Sequence, residues 1–141
     1  MVTKTNLHRF VNKARIRDAI AAAQNATSAP IHVSIAPYFW GSVRRTAERA
    51  LKKHKLAHTP GRNGVLFFVV PSRREFAIIG DIGAHEALGQ KAWDTTAELV
   101  RESFARDDAT SGLLLGIEMI ERGLSDRFPS THRLSELETN A

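Results

Sequence analysis

The sequence contains no cysteine and no long apolar run, and these two absences exclude several classes of protein. Without thiols there are no disulfide bonds, no thiolate nucleophile and no cysteine zinc site. No segment approaches the roughly 18 apolar residues of a membrane-spanning helix, and the first twenty residues lack the apolar stretch of a signal peptide. We therefore expect a cytoplasmic protein with a single domain over residues 1–129 and a polar, flexible tail over 130–141.

Acidic residues are scarce in the first part of the chain. Residues 1–62 hold twelve lysines and arginines against two acids, Asp18 and Glu48, whereas residues 63–141 hold eight against thirteen. A basic half of this kind is typical of contacts with nucleic acid, anionic lipid or an acidic protein, although charge alone also fits a solvated face of an ordinary fold.

The spacing of apolar residues predicts an alternation of helices and strands. In chain order we expect a helix over 11–26, a strand over 31–36, a helix over 42–56, strands over 65–70 and 74–79, and helices through 93–104 and 113–124. The strand VLFFVV is apolar on both faces and therefore needs cover above and below. The predicted fold class is α/β: a three-layer α/β/α sandwich with a small mixed sheet covered by helices on both faces.

Polar residues follow the last predicted strand in the stretch EFAIIGDIGAHE, which ends with Asp81, His85 and Glu86. The strand at 31–36 reaches the strand at 65–70 through a helix, so these two should be parallel, and the strand at 74–79 returns through a tight turn. The end of that third strand should therefore lie where the first two begin. This topology places Asp81 near Ala29–Pro30 and Arg62–Asn63, at one rim of the sheet.

Two interpretations of this rim remain open. An aspartate beside a glycine commonly accepts hydrogen bonds from the following amides as a turn or helix N-cap residue. Alternatively, Asp81, His85 and Glu86 could be ligands of a divalent cation, although calcium requires six to eight oxygen ligands and these residues supply few of them.

The predicted second helix carries a stripe of basic residues on its outer side. The candidate partner-binding patch consists of Arg44, Arg45, Arg49, Lys52 and Lys53. Its partners are expected to be an acidic protein or an anionic membrane surface; sequence-specific DNA binding is not expected, because the pattern of a helix-turn-helix is missing.

Signatures of an enzyme are also missing. The sequence has no glycine-rich phosphate loop, no Cys–Arg phosphatase motif and no HExxH motif. A phosphatase would therefore need a metal or an activated nucleophile that the sequence does not identify, and no catalytic residue is assigned.

The sequence resembles the TPM domain family, in particular its stand-alone bacterial members. The resemblance lies in three stretches: TSAPIHV, RNGVLFFVVPSRREFAIIGDIGAHEALG and GLLLGIEMIERGLSDRFP. The resemblance implies an α/β/α sandwich, calcium or another divalent cation as a ligand in some members, and acid phosphatase activity credited to a plant member. Where the family commonly has Gly–Glu, this chain has Ala29–Pro30, which removes an acid expected to lie near Asp81.

Three functional hypotheses follow. The first is a non-enzymatic partner-binding module with a weak calcium site at Asp81. The second, from the family resemblance, is a metal-dependent acid phosphatase-like hydrolase that uses the same rim. The third is nucleic-acid binding through the basic helix over 42–55.

Overall fold

The computed structural model describes residues 11–36 and 39–130. Its sheet has three strands in the order β1, β2, β3, which span Ile31–Ile35, Val65–Val70 and Glu75–Gly80. β1 is parallel to β2, with Ile31 opposite Val65, and β3 is antiparallel to β2, with Gly80 opposite Val65. The predicted mixed sheet, strand directions and strand positions are confirmed.

Within the described residues, five helices surround the sheet. They are α1 (Lys13–Ala26), α2 (Val43–Lys53), α3 (Ile82–Leu88), α4 (Gln90–Ala105) and α5 (Ala109–Ser125), and a single 3-10 turn (Pro71–Arg73) joins β2 to β3. Among the described helices, none is long and apolar enough to cross a membrane.

The central strand β2 is buried on both faces, as its uninterrupted apolar sequence requires. Val65, Phe67 and Val69 pack into a large core with α1, α3, α4 and α5. The alternate residues Leu66 and Phe68 point the other way, toward α2. The three-layer sandwich is thus confirmed, and its outer layers are unequal: of the described helices, four lie on one face and one on the other.

Helix α2 is the one described helix on its face of the sheet, which it covers through Val43, Ala47 and Leu51. It begins where the hydroxyl of Ser42 accepts a hydrogen bond from the amide of Arg45 at 3.2 Å. It ends at Lys53, earlier than the predicted residue 56, because Lys55 adopts a left-handed conformation with φ of 58°.

The last helix begins before residue 113, the first position at which the apolar spacing placed it. α5 begins at Ala109, because the carboxylate of Asp108 accepts the amide of Ser111 and caps the helix. Gly112 therefore lies inside the helix, where a Cβ would stand 2.6 Å from the Cβ of Ser103 on α4. The absence of a side chain at Gly112 therefore allows α4 and α5 to pack closely.

The end of the described chain is tied to the fold. Ser130 is buried, and its hydroxyl donates to the carbonyl of Asn25 at 2.6 Å. Ser130 therefore packs with the domain rather than with the tail predicted to begin there, and the remaining tail residues, 131–141, lie outside the described residues.

Candidate functional site

The structure places Asp81 at the rim of the sheet that the topology predicted. The amide of Asp81 donates to the carbonyl of Gly64 at 2.9 Å, and the amide of Val65 donates to the carbonyl of Pro30 at 2.8 Å. The end of β3 and the starts of β1 and β2 therefore meet at one edge of the sheet. The expected neighbourhood of Ala29–Pro30, Arg62–Asn63 and Asp81 is confirmed.

The carboxylate of Asp81 is saturated with hydrogen bonds. Its Oδ1 accepts Arg62 Nη2 at 3.0 Å and the amide of Ile82 at 2.9 Å. Its Oδ2 accepts Arg62 Nε at 2.7 Å and the amide of His58 at 3.2 Å. Two acceptor positions are thus used on each oxygen, and the bidentate pair with the guanidinium is the geometry in which such ion pairs are strongest.

This environment favours the charged form of Asp81. The hydrogen bonds from Arg62 lower the pKa of the carboxyl from 3.8 to about 2, against the opposing effect of burial, with further help from the amides of Ile82 and His58. Only 8% of Asp81 is exposed, so it is a buried charge held by one partly exposed cation.

The loop before β2 is shaped to present Arg62 to Asp81. His58 and Arg62 both have left-handed backbone conformations, with φ of 64° and 51°. The hydroxyl of Thr59 donates to Asn63 Oδ1 at 2.9 Å, and the carbonyl of Arg62 accepts the amides of Gly83 and Ala84. The loop and the start of α3 are consequently locked together, and the N-cap role anticipated for Asp81 is part of this lock.

His85 points to a different neighbourhood. Its Nε2 lies 2.8 Å from Gln90 Oε1, and its ring stacks on Trp93 with centroids 5.5 Å apart. Gln90 Nε2 in turn donates to Asp94 Oδ1 at 2.8 Å. His85 is therefore engaged with α4, whereas Asp81 is engaged with the loop before β2, and Glu86 is exposed.

The donor set at Asp81 does not fit a hard cation. Within residues 11–36 and 39–130, no group of three or more histidine, aspartate or glutamate side chains could hold a metal ion. Both oxygens of Asp81 already accept two hydrogen bonds, and the guanidinium of Arg62 would repel an arriving cation. A calcium ion at Asp81 would have to displace Arg62, and the acid that the family commonly supplies is replaced by Pro30.

Calcium should accordingly stabilise the protein very little. If its dissociation constant exceeds about 10 mM, 1 mM calcium adds less than about 0.1 kcal/mol to the free energy of unfolding. The measurement is the melting temperature with calcium or with a chelator. The double variant Pro30→Glu/Arg62→Gln restores the acid and removes the competing cation, so it should respond more strongly. A clear rise in the melting temperature of the wild type would contradict this prediction.

The basic residues of α2 are all exposed. We call it the basic face; it consists of Arg44, Arg45, Arg49, Lys52 and Lys53. Among the described residues, its one ion pair joins Arg44 Nε to Glu48 Oε1 at 3.3 Å, between well-exposed side chains. Lys52 and Lys53 lie in the last turn, where the helix dipole favours positive charge.

Some functional features were not identified from the sequence. The role of Arg62 as the partner of Asp81 depends on a left-handed backbone that no local pattern signalled. Trp40, three residues before the start of α2, is 97% exposed. His32 lies against His54 with ring centroids 4.3 Å apart; burial, then the neighbouring charge of His54, lowers the pKa of His32.

Comparison with known proteins assigns the family. The model of the TPM domain matches residues 6–123. The chain belongs to the TPM domain family. The rim, the sheet and most of the helices all lie within the matched residues.

Two solved structures are similar to this chain. The NMR structure of the BA42 protein from the psychrophilic bacterium Bizionia argentinensis is 30% identical, with a TM-score of 0.75, and the match covers 86% of this chain and 83% of that one. The solution NMR structure of the N-terminal domain of the cg2496 protein from Corynebacterium glutamicum is 16% identical, with a TM-score of 0.63, covering 93% and 79% of the two chains. It supports the fold alone. No match was found among curated proteins.

Proposed function

We propose that this TPM domain is a partner-binding module whose basic face binds an anionic surface. The observation that carries the proposal is the arrangement of α2: five exposed cations share one helix with Glu48 as its single acid. The inner side of the same helix is fixed on the sheet by Val43, Ala47 and Leu51. The charges are therefore presented on a rigid support rather than on a loop.

The exposed indole of Trp40 favours a membrane surface over an acidic protein. Trp40 stands two residues before Ser42, the cap of α2, and so lies beside the start of the basic face. A tryptophan next to a basic helical face is a common arrangement in proteins that bind the interface of anionic membranes. Each cation close to such a surface contributes about 1 kcal/mol.

Vesicle binding tests the proposal. We expect the wild type to bind vesicles containing phosphatidylserine at physiological salt and to be released as salt rises, since the screening length is about 8 Å at 0.15 M and falls with added salt. The variant Arg45→Glu/Arg49→Glu/Lys52→Glu should bind at least about 100-fold more weakly, because three attractions of about 1 kcal/mol are lost and replaced by repulsion. Sedimentation with the vesicles gives the affinity.

A matched control separates the basic face from net charge. Lys91→Glu/Arg106→Glu/Arg127→Glu changes the net charge by the same amount at exposed positions elsewhere, and it should bind vesicles much better than the variant of the basic face. Equal losses in the two variants would show that the basic face has no special role. Retention of the wild type on heparin or an acidic protein, without vesicle binding, would direct the search to a protein partner, and tight sequence-dependent binding to DNA would contradict the proposal.

A further inference from the structure

Among the residues that the structure describes, none pairs with the backbone groups on the outer edge of β3. β3 is the last strand of the sheet, and the hydrogen bond from the amide of Asp81 to Gly64 fixes which of its residues face β2. In an antiparallel pair the residues that face the neighbouring strand alternate with those that face away. Phe76, Ile78 and Gly80 therefore direct both their N–H and C=O groups away from β2.

This edge lacks the features that normally block strand addition. Native edge strands are usually interrupted by a bulge, a proline or a charged side chain. The pairing of β3 with β2 continues without a bulge from Glu75 to Gly80, and residues 76–80 include no proline and no charge. At the opposite edge, by contrast, the amide of Ile31 is occupied by Gln24 Oε1 at 3.1 Å and Pro30 precedes the strand.

Two grooves run along the open edge of β3. The groove at the start of β3 has a volume of about 490 Å³, and the groove at its end has about 420 Å³. Arg44 from α2 and Trp93 from α4 line both grooves, one from each face of the sheet. The edge is therefore recessed between two helices. A single extended chain fits such a recess, whereas a second copy of the protein would bring its own helices against α2 and α4.

The charges along the recess are unequal at its two ends. Arg73 and Arg101 line the groove at the start of β3, where Arg73 is paired with Glu75 and Arg101 with Glu98, so an acidic partner would share these cations with the two glutamates. Glu48 and Asp94 line the groove at the end of the strand. A strand that pairs antiparallel with β3 would place its C-terminal end beside the arginines and its N-terminal end beside the acids.

We propose that the open edge of β3 binds an extended peptide segment of a partner protein as a fourth, antiparallel strand. The main chain of the peptide pairs with Phe76, Ile78 and Gly80, and its alternate apolar side chains enter the grooves on the two faces. Acidic residues toward its C-terminal end complement Arg73 and Arg101. This interaction shares Arg44 with the basic face but none of its other four residues, and it goes beyond the membrane contact proposed above.

Selection from a random peptide library tests the open edge, whichever protein supplies the natural segment. A phage-displayed library of random decapeptides is selected on the wild type and counter-selected on Ile78→Pro. Proline at this position removes an outward N–H and blocks the edge, but it leaves the hydrogen bonds to β2 in place. We expect enriched peptides with alternating apolar residues and an acidic C-terminal half. After synthesis they should bind Ile78→Pro at least about tenfold more weakly by fluorescence polarisation.

A second variant keeps the test decisive if Ile78→Pro fails to fold. Asp94→Lys/Arg101→Glu exchanges the charges at the two ends and should shift the preference toward the reversed peptide sequence. Amide exchange measured by NMR should show that the peptide protects Phe76, Ile78 and Gly80. The variant Arg45→Glu/Arg49→Glu/Lys52→Glu should retain peptide binding, and Ile78→Pro should retain vesicle binding, so the two proposals fail separately.

The proposal is overturned if no peptide is enriched, or if enriched peptides bind the wild type, Ile78→Pro and Asp94→Lys/Arg101→Glu equally. It is also overturned if the amides of Phe76, Ile78 and Gly80 are already protected without peptide, because the chain itself would then cover the edge. A dimer that loses its stability in Ile78→Pro would identify a second copy as the occupant and would equally contradict the peptide proposal.

Discussion

Replacing Gly83 with alanine should destabilise the protein by about 3 kcal/mol, the upper part of the range for overpacking a closed site. A Cβ at this position would lie 2.1 Å from the carbonyl oxygen of Gly61 and 2.8 Å from that of Arg62. Both neighbours are backbone atoms, and the amide of Gly83 donates to the carbonyl of Arg62 at 2.7 Å. The start of α3 must therefore move away from the loop that holds Arg62. The melting temperature should fall by roughly 10 °C in a domain of this size.

Gly123→Ala is the matched control for this substitution. A Cβ there would meet Leu88 Cδ1 at 1.9 Å, but that atom is the end of a flexible side chain and can rotate away. Both substitutions gain the same helix propensity, about 1 kcal/mol for alanine over glycine. Thermal unfolding should consequently show a much smaller loss in Gly123→Ala, and equal losses would contradict the rigid contact between α3 and the loop.

The second large effect is an acid-dependent loss of stability from Asp81. Its pKa in the folded protein is lowered to about 2, so the ion pair with Arg62 stabilises the fold fully above the ordinary value of 3.8. This contribution is lost as the pH falls from about 4 to about 2, where the folded carboxyl also takes up a proton. Allowing for solvent around the half-exposed Arg62, we expect about 1 to 2 kcal/mol.

Denaturant unfolding of Asp81→Asn against pH isolates this contribution from that of the other carboxylates. The variant should be less stable than the wild type at pH 7, and the difference should shrink between pH 4 and pH 2. Arg62→Gln removes the cation that lowers the pKa and should weaken the same pH dependence. Parallel stability curves for the wild type and Asp81→Asn across this window would show that the ion pair does not stabilise the fold.

The sequence was sufficient to predict the sheet and the position of Asp81, because both follow from general rules. Six consecutive apolar residues in β2 require cover on both faces, and a helical crossover makes β1 and β2 parallel. These rules do not determine the conformation of the loop before β2. The left-handed backbone at His58 and Arg62 depends on contacts with Asp81, Gly83 and Ala84, which are distant in sequence, so the saturation of the carboxylate became visible only in the structure.

The basic face and the edge of β3 show a second limit on what can be predicted from the sequence. The periodicity of α2 correctly placed its cations outward, since the inner stripe of Val43, Ala47 and Leu51 sets the rotation of the helix. The edge position of β3 follows from the strand order. The recess around it depends on where α2 and α4 stand relative to the strand, and sequence patterns hold no information on such distances.

The unequal cover of the sheet couples binding on the outside of α2 to the stability of the core beneath that helix. α2 is the one described helix on its face of the sheet, so the helix that carries the basic face also shields Leu66, Phe68 and Val70 from water. A contact on the outside of α2 is thus about one helix diameter, roughly 10 Å, from the core that its inside seals. A partner that binds α2 in its packed position stabilises that packing. A partner that binds α2 only when it is detached from the sheet exposes the core beneath it. Binding at the basic face and local unfolding of that layer are therefore coupled: each changes the free energy of the other.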